Sequence, residues 1–153
     1  MIKLSAGLLV YRLRSGRIEV FLIHPGGPYW KNKDDGSWSI PKGEYTQGEE
    51  PLHAARREFL EETSFDAPSG ALLELKAIKQ PSGKVINAWS VEGDIDADNI
   101  KSNSFSMEWP AGSGRRQEFP EVDRGRWFDL ETARIKILKG QSDFLEELVR
   151  TVR

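Results

Sequence analysis

The run PKGEYTQGEEPLHAARREFLEETSF, Pro41 to Phe65, constrains this chain more than any other stretch. A glycine-containing loop leads into a predicted helix whose second half, REFLEE, carries Glu58, Glu61 and Glu62 at spacings i, i+3 and i+4. At about 100° per residue the three carboxylates share an arc of roughly 100° on the helix surface, where they repel one another. A fold that keeps them together offsets the repulsion with a cation. An all-oxygen set suits a hard divalent ion, Mg²⁺ with Mn²⁺ as a substitute. The plainer reading of REFLEE alone is a solvated acidic face, as most acidic helices present. Pro51 suits the first helical position, and Leu52, Ala55 and Phe59 form an apolar stripe beside Glu62, so the acids sit at the rim of a core.

Around this helix the chain reads as alternating strands and loops, closed by helices. Leu4 to Leu13 and Ile18 to His24 are β-rich runs separated by Arg14, Ser15, Gly16 and Arg17, which predicts a hairpin with at least one strand buried on both faces. His24 to Trp38 is a long loop holding Tyr29, Trp30 and Trp38, and loops longer than about 12 residues in compact domains are usually functional or disordered. Ser39 and Ile40 predict a short strand into the Gly43 loop. Leu72 to Gln80 and Lys84 to Val91 predict a strand pair. Glu92 to Pro120 reads as irregular with a short strand at Phe105 to Trp109, and Arg126 to Phe128 as a last short strand. Leu130 to Leu138 and Ser142 to Val152 predict helices divided by Gly140, the second amphipathic through Phe144, Leu145, Leu148 and Val152.

Composition narrows the partners. A chain of 153 residues supports one sizeable core, read as a single domain over residues 1–153. A net charge of −2 offers no electrostatic case for duplex nucleic acid or an anionic membrane. The absence of cysteine excludes disulfides and thiolate zinc sites and fits a cytoplasmic setting. The opening apolar run is short, is closed by Arg12 and Arg14 and lacks a small-residue cleavage site, so it reads as a buried strand and not a signal peptide. No stretch approaches the roughly 20 apolar residues of a membrane span. The two histidines, His24 and His53, have no zinc spacing. His53 falls on the helix side away from the acids, and His24 ends a strand where capping and ligand contact are both open.

Gly43, Glu49, Arg57, Glu58, Phe59, Glu61, Glu62 and Phe65 together resemble the Nudix box, a glycine, five residues, a glutamate, seven residues, then Arg-Glu-apolar-x-Glu-Glu-x-Gly-apolar. Every fixed position matches except Ser64, which stands where the family has glycine. A glycine just past a helix end usually takes the left-handed conformation, and a serine there costs on the order of 1 kcal/mol. The departure therefore bears on the helix end and not on the acids. The run HPGGPYW…DDGSWSIPKGEY and the later SGRRQEFPEVDRGRWF resemble a bacterial Nudix branch of nucleoside triphosphate pyrophosphohydrolases. The W-x-I-P-K-G lead-in is similar to diadenosine tetraphosphate hydrolases.

The resemblance implies an α/β/α sandwich with a central mixed β-sheet and a catalytic loop-helix-loop. It implies Mg²⁺-dependent hydrolysis, by activated water, of a phosphoanhydride in a nucleoside triphosphate or dinucleoside polyphosphate. Glu58 and Glu62 would be the primary metal ligands, Glu61 a ligand or an aid to the base, and the Gly43 carbonyl a further oxygen. Arg57 would pair with Glu49, and Lys42 would touch a phosphate. The general base has three candidates, Glu118 first, with Glu121 and Glu61 as competitors. Arg115 and Arg116 would hold phosphates or stand as ordinary surface charges. Tyr29, Trp30 and Trp38 would stack on a base or fill the core. The second functional reading is a Nudix domain that binds a nucleotide or metabolite without turnover. The oligomeric state stays open between monomer and homodimer.

Overall fold

The structure is a computed structural model and describes residues 2–152. Its strands are β1 (Leu4–Arg14), β2 (Arg17–Pro25), β3 (Lys42–Tyr45), β4 (Leu72–Glu74), β5 (Ile78–Lys79), β6 (Val85–Glu92), β7 (Ser104–Glu108), β8 (Arg116–Pro120) and β9 (Val122–Asp129). Its α-helices are α1 (Pro51–Thr63), α2 (Leu130–Lys136) and α3 (Ser142–Val152). The main sheet runs β4-β6-β1-β2-β9, with β3 paired to β1 and β5 to β6. It is mixed, because β1 and β6 run parallel while β1 pairs antiparallel with β2 and β3.

Strand β1 explains the architecture. Ala6, Leu8 and Val10 point to one face and Leu9 to the other, all with no solvent exposure, so both faces must be covered. On the first face α1 supplies Ala54, Ala55 and Phe59 against Ala6, Leu8, Val10, Phe21 and Ile23. On the second, α2 and α3 supply Ala133, Phe144, Leu145 and Leu148 against Leu9, Val20, Leu22, Ile40 and Phe128. The result is the expected α/β/α sandwich. Helix α2 starts where Asp129 accepts a hydrogen bond from the Thr132 backbone N–H at 2.7 Å.

The structure differs from the sequence expectations in four places. Ser39 and Ile40 form no strand; Trp38 and Ser39 make isolated bridges, and the strand falls instead on Lys42–Tyr45, around Gly43. The run from Leu72 to Gln80 is broken into β4 and β5, since Leu75 leaves the strand to pack into the core on the α3 side. The segment expected to be irregular contains a complete hairpin, because β7 has a partner, β8, whose polar sequence RQEFP carries no strand alternation of its own. Strand β9 is eight residues long and not three, its polar outer positions being paired to β2 through the backbone.

Candidate active site

The glycine loop and helix α1 are fitted to each other at Gly43. A Cβ at this position would lie 2.7 Å from Glu58 Cγ and would overlap the Glu58 carboxylate, so only glycine lets that side chain lie flat on the loop backbone. One turn later, Glu62 Oε1 accepts a hydrogen bond from the Lys42 backbone N–H at 3.2 Å. Glu58 and Glu62 are 9% and 8% exposed, on the helix edge where α1 meets β3. Phe59, one position round the helix, is fully buried in the core. This is the rim placement that the apolar stripe predicted.

Arg57 ties the helix to its lead-in. Its Nε and Nη2 donate to the two oxygens of Glu49, both at 2.9 Å, a bidentate fork. Its Nη1 donates to Glu58 Oε2 at 2.6 Å and approaches Glu61 Oε1 at 3.4 Å. Hydrogen bonding to Glu49 first, then to Glu58, holds the guanidinium protonated above its ordinary range. The same fork lowers the Glu49 carboxyl, with His53 adding a weaker 3.2 Å contact.

The buried acids behave in the opposite way. Burial is the largest cause raising Glu58, offset by Arg57 and reinforced by the charges of Glu61 and Glu121. Burial followed by the Glu58 charge pushes Glu62 up to about 8, against the pull of Lys42. Lys42 is itself lowered by burial and then by Lys84.

Among the described residues no three acidic or histidine side chains converge as a finished metal cage. Arg57 Nη1 sits among these acids, bonded to Glu58 and near Glu61. The donor set nevertheless fits a hard divalent cation. Two buried carboxylates that resist ionising together, beside a loop backbone kept bare by glycine, want an added positive charge. Glu58, Glu62 and the Gly43 carbonyl are the groups that would hold it, with Glu61 beside them.

The two downstream acids separate. Glu118 lies on β8 opposite Ser106, exposed on the two-stranded sheet. Glu121 follows that sheet and is close enough for its charge to raise Glu58 and Glu62, while burial and then Glu61 raise Glu121. The structure therefore brings Glu121, not the first-choice Glu118, to the helix carboxylates. The placement is made by backbone. Glu121 N–H donates to the Asn103 carbonyl at 2.8 Å, and Asn103 N–H donates to the Glu61 carbonyl at 3.0 Å. Ser102 Oγ donates to the Val122 carbonyl at 3.1 Å and accepts from its N–H at 3.0 Å. Neither Ser102 nor Asn103 carried a sequence signal.

Of the aromatic residues, Trp38 is corrected. It is 1% exposed, packs edge-on to Phe128 at 4.9 Å, and donates its indole N–H to Asp34 at 2.8 Å, so it belongs to the core and has no face for a base. Tyr29 is 60% exposed and meets Trp109 edge-on at 5.5 Å. Trp30 is half-buried under the Lys33 ammonium. Arg115 and Arg116 are exposed at the far end of the β7–β8 hairpin, where Arg116 bonds to Ser106 at 2.9 and 3.1 Å and Arg115 accepts the Trp109 N–H through its carbonyl at 2.9 Å. They stand at the other end of the hairpin from Glu121. His24 is buried, held between Asp123 at 2.9 Å and the Lys33 carbonyl at 2.7 Å, and so anchors the long loop.

Comparison with known proteins bears on the family and the fold. The NUDIX domain family matches residues 1–148. The RNA pyrophosphohydrolase of Bartonella henselae is 27% identical over 147 aligned residues, covering 84% of this chain and 76% of that protein. The fold is similar to a C. elegans Ap4A hydrolase in a binary complex, with a TM-score of 0.68, 22% identity and coverage of 98% of this chain and 97% of the other. It is also similar to the NUDIX domain of Shewanella oneidensis NrtR bound to ADP ribose, with a TM-score of 0.67, 13% identity and coverage of 100% and 90%.

Proposed function

The chain belongs to the NUDIX family of hydrolases, and we propose on that basis that it is a Mg²⁺-dependent nucleotide pyrophosphohydrolase cleaving a phosphoanhydride in a dinucleoside polyphosphate or nucleoside triphosphate. One observation carries this reading. Glu58 and Glu62 are buried side by side against a loop that only glycine permits, with the Glu121 carboxylate within electrostatic range. When bound there, a divalent cation neutralises phosphate oxygens and polarises the attacked phosphorus.

The chain's own groups supply the rest. Arg57 keeps the helix and loop in one register through its fork on Glu49. Lys42, whose backbone N–H bonds to Glu62, offers its partly buried ammonium to a phosphate beside these acids. Glu121, whose affinity for a proton is raised by burial and by Glu61, is the base that accepts the proton of the attacking water.

The β7–β8 hairpin supports a long substrate. The loop after β2 runs along it, with Gly26 N–H donating to the Glu121 carbonyl at 3.0 Å and Tyr29 against Trp109. The strand steps from Ser104 to Trp109 span roughly 17 Å at about 3.4 Å each, so the exposed Tyr29 face stands well beyond Glu121. That separation suits a second nucleoside at the far end of a polyphosphate better than a triphosphate whose base lies close by. The names of the relatives, an RNA pyrophosphohydrolase and an Ap4A hydrolase, point to the same bond class.

The test is turnover with Mg²⁺ across Ap4A, nucleoside triphosphates, 5′-triphosphorylated RNA, nucleotide sugars and ADP ribose, with products identified. Ap4A should be among the best substrates. Glu58→Gln and Glu62→Gln should each lower kcat by about 10²-fold or more with the fold retained. Unchanged turnover in either variant, or turnover of nucleotide sugars alone, refutes this reading. Tight binding of ADP ribose without product would favour the binding-only alternative.

A further inference from the structure

Ser64, the position at which this chain departs from the glycine of its family, is built into the support of Glu121. Its backbone is left-handed, with φ of 67°, and its N–H donates to the Leu60 carbonyl at 2.8 Å, closing α1. An unaided serine is unfavourable in this conformation. Here its hydroxyl donates to the carbonyl of Lys101, on an extended strap far along the chain.

The strap returns the contact. Lys101 N–H donates to the Thr63 carbonyl and Asn103 N–H to the Glu61 carbonyl, each at 3.0 Å. Carbonyls at a helix C-terminus lack partners within the helix, so the strap satisfies groups that would otherwise face water. Asn103 then accepts the Glu121 N–H at 2.8 Å, and the Glu121 carbonyl accepts the Gly26 N–H at 3.0 Å. One continuous run of hydrogen bonds thus connects the end of the acid-bearing helix to the backbone of Glu121 and on to the loop after β2. The Ser64 hydroxyl joins this run as a side-chain link from the end of α1.

We propose that Ser64 is a positioning residue, which clamps the 101–103 strap to the end of α1 and so sets the distance between Glu121 and the helix carboxylates. The proposal rests on Glu121 being the base. A glycine would accept the left-handed backbone with less strain but would leave the Lys101 carbonyl without its donor. Alanine would lose the donor and keep the strain. The two variants therefore separate stability from positioning.

The test compares wild type, Ser64→Gly, Ser64→Ala and Glu121→Gln, using Ap4A with Mg²⁺ for kinetics and amide hydrogen exchange on the metal-free proteins. Melting temperature should be higher for Ser64→Gly than for Ser64→Ala. Both should nonetheless lose kcat by roughly three- to tenfold with KM within about twofold of wild type, the size expected when one hydrogen bond that orients a reacting group is removed. In both, the Lys101, Asn103 and Glu121 amides should exchange faster than in wild type while the β1 amides do not. Wild-type kcat in Ser64→Gly, or unchanged protection of Asn103 and Glu121, overturns the clamp. Full turnover in Glu121→Gln removes the base assignment instead, and the exchange result then decides whether the clamp exists without it.

Discussion

At the scale of single residues, the largest consequence of burial falls on Glu62. Its carboxyl is pushed up to about 8 in the fold, by burial and then by Glu58, and titrates near 4.5 when unfolded. The native state therefore holds a proton that the unfolded chain has released between those values. With the unfolded state binding fewer protons, stability falls as pH rises through this window and levels off above it. Metal-free protein should thus melt at lower temperature near pH 8 than near pH 5, and Glu62→Gln should flatten that slope. Because a cation needs the carboxylates ionised, Mg²⁺ should raise the melting temperature more above about pH 8 than near pH 6. A pH-independent effect of Mg²⁺ would disprove the link. The same scale separates the two downstream acids. Glu121→Gln should depress kcat by about 10²-fold or more, whereas Glu118→Gln, on the exposed hairpin, should leave it within about twofold.

At the scale of elements, the glycine loop and helix α1 act as one unit because Arg57 bonds both. Arg57→Lys keeps the charge but cannot form the two parallel bonds to Glu49, so the urea midpoint should drop with an unchanged m-value, and turnover should fall despite the retained charge. The β7–β8 hairpin is a second unit, joined to the loop after β2 through Gly26 and Tyr29. Tyr29→Ala should leave the melting temperature unchanged, because the ring is mostly exposed, and raise KM for Ap4A several-fold. Trp38→Ala should do the reverse, costing about 3–5 kcal/mol of stability as a buried aromatic, read from a denaturant midpoint. Finding that Trp38→Ala folds as well as wild type and loses only affinity would return that ring to the substrate.

At the scale of the whole molecule, what was legible in the sequence was what local periodicity encodes. The i, i+3, i+4 spacing put Glu58, Glu61 and Glu62 together, because a helix brings neighbours three and four apart onto one face wherever it packs. The doubly apolar run of β1 foretold a sheet covered on both sides, since both faces of its strand are hydrophobic. Gly43 was visible as a motif position, and its physical purpose, room for Glu58, appears only when the loop and helix meet. Pairing across long separations was not legible. Strand β8 has a polar sequence and exists because β7 lies beside it. Trp38 looked like one of three loop aromatics until the sheet bridge to Ile137 drew it inward. Glu118 and Glu121 were equivalent as letters. The backbone bonds of Asn103 and the two bonds that the Ser102 hydroxyl makes to the Val122 backbone, neither announced by a local sequence pattern, chose between them. The sequence alone thus determined which acids share a helix and what chemistry they suit, because that follows from short-range geometry. Only the tertiary structure decided which distant carboxylate faces them and which aromatic ring stays free, because those follow from where backbone hydrogen bonds between remote segments find their partners.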